Sequence, residues 1–272
     1  MSHIKVMIPA TAGEPRDIII AVLSGEGFDG FEEEEALLSA FVPEVDFDEA
    51  MLNELAEQLS FTYTTEAIAQ RNWNELWESG FDPVVVDGFC TIKAHFHEAE
   101  ITTPYVIVIT PKMSFGTGHH ATTQLMMMGM QDMDLKGREV LDFGTGTGVL
   151  AILAAMLGAT DVTGIDNDEW SVENALENLQ RNDREAIAIH QATLDEIPER
   201  EYDVILANIN RHILLQYMDG LYTRIRKGGQ LLMSGLLTED EPIMLEAAMA
   251  AGFAVDKVAH RNGWISILCN KL

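Results

Sequence analysis

Over residues 1–68, short apolar stretches and turn residues follow the order strand, helix, strand, strand, helix, strand. His3–Pro9 is an apolar strand, and Glu14-Pro15 opens a helix with proline at its first position, where no backbone N–H is needed. Gly25 and Gly27 end that helix. Phe28–Phe31 and Ala36–Val42 follow as strands. Asp46 with Glu49 makes a capping-box-like start for a second helix, along which Phe47, Met51, Leu52, Leu55 and Leu59 recur on one face. Phe61–Thr65, aromatic and β-branched, closes the set. Six elements in this order predict a small α+β, ferredoxin-like domain over residues 1–68.

Gln70–Gly80, with Trp73 and Trp77 four apart, reads as a helix within a linker spanning 69–82. Pro83–Gly88, Thr91–His95 and Tyr105–Thr110 are strands leading into a larger domain, 83–272. Beyond Gly118 the alternation is regular. Arg138–Asp142, Asp161–Asp166, Ile187–His190, Tyr202–Ala207 and Gln230–Ser234 are strand-like, with apolar-periodic helices between them. This is the sequence form of an α/β, doubly wound parallel sheet covered on both faces. Phe253–His260 and Trp264–Asn270 flank Arg261-Asn262-Gly263. Asn-Gly signals a tight hairpin, so the sheet is expected to end with an antiparallel strand.

Length and charge narrow the partners. The 272 residues suit two units at about 150 residues per domain, and 47% hydrophobic content excludes global disorder. Seventeen basic against 44 acidic side chains leave a net charge of −27. That argues against nucleic acid as a partner, favours a cationic one, and favours a monomer. Residues 1–60 alone hold 14 acidic and two basic side chains. The run Glu32–Glu35 reads as a solvated edge. The longest apolar stretch, Val149–Ala159, falls short of the about 20 residues a bilayer requires. No secretory leader is visible, and Cys90 and Cys269 form no disulfide framework. A cytoplasmic protein without a membrane partner is expected.

The chemistry concentrates in Asp142-Phe143-Gly144-Thr145-Gly146-Thr147-Gly148, a strand running into a glycine-rich turn and a helix. Glycines let a ligand approach the backbone, and the helix start beyond offers free N–H groups. The spacing G-x-G-x-G differs from the dinucleotide fingerprint. Asp142, at the strand end, would repel a pyrophosphate and tolerate a cationic ligand such as a sulfonium. Asp166, ending Gly164-Ile165-Asp166, suits ribose hydroxyls. His95 and His97 alternate on a strand near Cys90 without a further ligand pair, so no metal site is expected. Met126–Met128 read as helix packing.

Together these residues resemble the class I S-adenosylmethionine-dependent methyltransferases. The string Phe115-Gly116-Thr117-Gly118-His119-His120-Ala121-Thr122-Thr123, followed by the glycine-rich turn, Gly164-Ile165-Asp166 and Ala207-Asn208-Ile209, resembles the PrmA family over essentially the whole chain. That family methylates large-subunit ribosomal protein eleven. The resemblance implies S-adenosylmethionine as cofactor, with Thr122, Thr123, Gly144, Gly146, Asp166 and Asn208 binding it and Phe115 and Gly116 lining the same pocket. It also implies that the N-terminal domain recognises the ribosomal protein and that lysine side chains and the N-terminal amine accept the methyl groups.

Many amino-methylating relatives carry N-P-P-[YFW] where this chain has Asn208-Ile209-Asn210, so whether Asn208 orients the substrate amine stays open. No catalytic residue is assigned: one of His119 and His120 is expected to shape the loop over the cofactor. A methyltransferase for another protein or a small amine, and a non-enzymatic binder of a basic protein, remain as alternatives. A nicotinamide dehydrogenase is disfavoured by Asp142 and the glycine spacing.

Overall fold

The computed structural model describes residues 3–10, 13–68, 81–98, 101–112 and 115–272. The expected linker helix over 70–80 lies outside them. The chain divides into two compact units, Met1–Gly80 and Phe81–Leu272.

In the first unit, strands β1 (His3–Pro9), β2 (Gly30–Glu33), β3 (Leu37–Pro43) and β4 (Thr64–Ile68) form an antiparallel sheet in the order β2-β3-β1-β4. This is the ferredoxin-like arrangement. Helices α1 (Glu14–Gly25) and α2 (Glu49–Leu59) supply Ile19, Leu23 and Leu52 to a core shared with Val6, Ile8, Leu38 and Val42. Arg16 is buried and donates to the carbonyls of Ala10, Glu34 and Glu35. The acidic run is therefore tied down through its backbone while its side chains stay solvated.

Three elements of the first unit start two or more residues later than the sequence expectation, each for a local reason. Phe28 does not open β2: it is buried, and its N–H donates to Leu23 O, closing the exit of α1. Phe61 likewise belongs to the exit of α2, donating to Ala56 O after Ser60 turns left-handed at φ 57°. The cap of α2 is Asp48, not Asp46: its carboxylate accepts the N–H groups of Ala50 and Met51 at 2.9 and 3.1 Å.

The second unit holds a seven-stranded sheet in the order β10-β9-β8-β11-β12-β14-β13. Its strands are β8 (Glu139–Phe143), β9 (Asp161–Asp166), β10 (Ala188–Gln191), β11 (Tyr202–Asn208), β12 (Ile225–Leu237), β13 (Ala254–Arg261) and β14 (Trp264–Asn270). Strands β8 to β12 run parallel. β14 is antiparallel to both β12 and β13 and lies between them. Asn262 and Gly263, at φ 49° and 79°, make the hairpin.

Alternate residues of each strand feed opposite cores. Val140, Val204, Leu206 and Leu232 face α3 (Ala121–Gln131), α4 (Val149–Met156) and α5 (Glu169–Arg181). Leu141, Ile205, Ala207 and Met233 face α6 (Arg211–Thr223) and α7 (Glu241–Ala251). Met126 and Met127 are fully buried on α3, as the packing reading expects. The sheet is covered on both sides, which is the class I methyltransferase architecture.

A further three-stranded sheet joins β5 (Val84–Val86), β6 (Cys90–Ala94) and β7 (Tyr105–Ile109). β6 ends at Ala94, so neither His95 nor His97 lies on a strand; His97 follows the turn after β6, where its Nδ1 accepts the Ala94 N–H at 3.0 Å. Cys90 and Cys269 are buried free thiols.

Candidate active site

The carboxyl ends of the parallel strands open onto one cavity of about 610 Å³, where ligands bind in open α/β sheets. Its walls come from the turn after β8 (Phe143, Gly144, Gly146), the end of β9 (Asp166, Asn167) and the end of β11 (Asn208, Ile209, Asn210). Phe115, His120, Thr122, Gly235, Trp264 and the α6 face bearing Ile213, Gln216 and Tyr217 complete it.

The turn is shaped by close approach. A Cβ at Gly146 would run into the carbonyl oxygen of Phe115, so only glycine fits there. The Gly146 N–H donates to Asp166 Oδ2 at 2.9 Å, and the Asp168 N–H to Asp166 Oδ1 at 3.1 Å. Asp168 in turn caps α5 through Ser171. Asn210 caps α6, accepting the Ile213 N–H at 3.2 Å. Asn208 is buried: its Nδ2 donates to Thr123 Oγ1 at 3.4 Å, and its Oδ1 has no partner among the described residues.

Of the residues singled out in the sequence, Phe115, Thr122, Gly144, Gly146, Asp166 and Asn208 line the cavity. Thr123 and Gly116 stand one layer back, Thr123 behind Asn208 and Gly116 as an acceptor for the Thr147 hydroxyl. Asp142 corrects the expectation of a carboxylate facing a cationic ligand. It is fully buried and accepts the Thr145 hydroxyl at 2.7 Å, and burial pushes its carboxyl up to about 7.

His120 caps α3, with Nδ1 2.8 Å from Thr122 Oγ1 and its ring edge-on to Phe115 and Trp264 at 5.3 and 4.6 Å. His119 instead meets Asp82 O and the Phe81 ring. Of the two, His120 shapes the cavity. Trp264, Tyr217 and Asn210 were not singled out as site residues. Trp264 starts a strand on the far side of the hairpin, and only the antiparallel insertion of β14 brings it here.

The sequence model of the family described as ribosomal protein L11 methyltransferase (PrmA) matches residues 20–272. The chain belongs to this family. A Porphyromonas gingivalis protein named ribosomal protein L11 methyltransferase is 41% identical over 260 residues, covering 92% of this chain and 89% of that protein. Its namesake from Chlorobaculum tepidum is 36% identical over 267 residues, covering 93% and 91%. A crystal structure of ribosomal protein L11 methylase from Lactobacillus delbrueckii subsp. bulgaricus superposes with a TM-score of 0.67 at 28% identity, covering 70% of this chain and 99% of that one. Membership of the PrmA family makes the chain a protein methyltransferase.

Proposed function

We propose that this chain transfers methyl groups from S-adenosylmethionine to lysine side chains and the N-terminal amine of ribosomal protein L11. The observation that carries the reading is the buried, unpartnered Oδ1 of Asn208 at the cavity wall. A buried acceptor of this kind needs an N–H donor, and the incoming amine is one.

The residues fit the cofactor. The cavity is of nucleoside size. Asp166 offers two side-chain oxygens, oriented by backbone donors, for ribose hydroxyls, and the Gly144–Gly146 turn lets a ligand lie against backbone. Thr122, Thr123, Gly144, Gly146, Asp166 and Asn208 would hold it, Thr123 by fixing Asn208. When bound, the sulfonium supplies an activated methyl group and departs as a thioether.

A lysine amine, with an ordinary pKa of about 10.4, must lose its proton before it attacks. Enclosure by Phe115, His120 and Trp264 excludes water and favours the neutral amine. Asn208 Oδ1 then aligns the nitrogen, and that alignment is the chain's main contribution. No general base is assigned. The acid-rich N-terminal unit holds the basic substrate, and the enzyme works as a cytoplasmic monomer without nucleic acid.

Unmethylated ribosomal protein L11 incubated with the enzyme and methyl-labelled S-adenosylmethionine tests this. Label on its lysines and N-terminus, abolished by Asn208→Ala, supports the reading. Undiminished labelling by that variant removes Asn208 from it.

A further inference from the structure

Thr147 and Asn178 are fully buried, and neither lines the cavity. Thr147 lies in the glycine-rich turn. Its N–H donates to Phe115 O at 3.0 Å and its hydroxyl to Gly116 O at 2.9 Å. Its own carbonyl accepts Asn178 Nδ2 at 2.9 Å. The fit is close: a Cβ on Gly116, at φ 110°, would stand 2.5 Å from Thr147 Oγ1. The two motifs that mark this sequence, separated by 31 residues, are thus two sides of one contact.

Asn178 belongs to a stripe on α5. Asn174 and Asn178 on the helix and Asn182, the residue that ends it, follow at intervals of about one helical turn, and their carboxamides imitate a strand edge for the chain of β7. Asn182 accepts the Val108 N–H at 2.9 Å and donates to Val108 O at 2.7 Å. Asn178 accepts the Thr110 N–H at 2.8 Å, and Asn174 donates to Thr110 O at 3.1 Å. The same helix therefore fixes β7 through side chains and the glycine-rich turn through Asn178. Phe115, half exposed on the cavity wall, is held from that turn by Thr147 alone among the hydrogen bonds of the described residues.

We infer that Thr147 and Asn178 are positioning residues for cofactor retention: Thr147 fastens Phe115–Gly116 to the glycine-rich turn, and Asn178 holds Thr147 in place. This rests on the methyltransferase reading above. The fastening consists of donors to two backbone carbonyls, so it does not depend on which side chains the loop carries. It governs how long the cofactor stays, whereas alignment of the amine belongs to Asn208.

The test titrates the full chain with S-adenosylhomocysteine, the unreactive product, and measures its dissociation rate. Thr147→Val keeps the shape and removes one hydrogen bond. Affinity is expected to fall about threefold to tenfold, through faster dissociation. Thr147→Ser restores the hydroxyl and the affinity. In a Phe115→Ala background the Thr147→Val effect shrinks to less than about twofold, because coupled residues are not additive.

Unchanged affinity in Thr147→Val overturns the proposal. So does Thr147→Ser binding as weakly as the valine variant, or a valine effect that persists in full without Phe115. A wild-type chain with no affinity for S-adenosylhomocysteine overturns the methyltransferase reading, and this proposal with it.

Discussion

Asp166 and Gly146, 20 residues apart, are joined by a 2.9 Å hydrogen bond in which the glycine N–H donates to the carboxylate. With the Asp168 N–H on the other oxygen, both oxygens of Asp166 are fixed by backbone donors. Each keeps a free lone pair for a ligand hydroxyl. The carboxylate is therefore oriented by the fold itself.

Asp166→Ala is expected to weaken S-adenosylmethionine binding by about 2 kcal/mol, some thirtyfold, as for hydrogen bonds to a charged group. Asp166→Asn should bind no better. Either orientation of its amide sets an NH2 against a backbone N–H. Calorimetric titration of both variants decides this; an asparagine variant near wild type would mean that one oxygen suffices.

Asp142 gives stability a pH signature. Its folded carboxyl lies near 7 because it is buried, whereas in an unfolded chain it titrates near 3.9. The folded state holds the proton more tightly, so the contribution is full below about pH 4, declines toward 7 and is flat above. Melting curves should show Asp142→Asn gaining on wild type between about pH 4.5 and 7.5. A gap that does not change with pH would place the ionisation at its ordinary value.

Gly235 sits in the bulge of β12 between Met233 and Leu236, at φ 86°, where a Cβ would press into the Ile209 backbone. Gly235→Ala must push Ile209 and Asn210 outward or twist the bulge. A loss of about 2 kcal/mol in urea unfolding is expected, with turnover at least about tenfold lower, since misplacement of catalytic groups is costly. Wild-type turnover in a destabilised variant would separate the bulge from the site.

The N-terminal unit's acid excess predicts a salt effect confined to one substrate. Raising ionic strength should increase KM for ribosomal protein L11, because screening weakens attraction between exposed charges. The dissociation constant for S-adenosylhomocysteine should change little. Initial-rate measurements in rising salt separate the two, and equal sensitivity would argue against the acidic unit as the docking element.

The sheet, its hairpin and the glycine-rich turn were legible because each rests on short-range rules: apolar alternation, Asn-Gly geometry and glycine at close approach. Edges were less so. β2 is solvated and acidic, so hydrophobicity pointed to Phe28 instead, which serves the core at a helix exit. At the site, residues on strand ends could be found by position. Asp142 was placed on the correct strand yet assigned the wrong direction, because orientation there depends on Thr145 and on burial. Thr147 and Asn178 act across 31 residues and Trp264 meets His120 from much farther along the chain, and no local pattern encodes such contacts.

The two thiols lie on opposite faces of the central sheet, Cys90 in the core with α3 to α5 and Cys269 in the core with α6 and α7. Burial holds each up to about 12, so neither is a nucleophile while its side stays shut. A disulfide reagent therefore reaches each sulfur only when the layer above it opens. The chain carries two natural clocks, one per face, and their separate ticking would tell whether the two layers breathe together or alone.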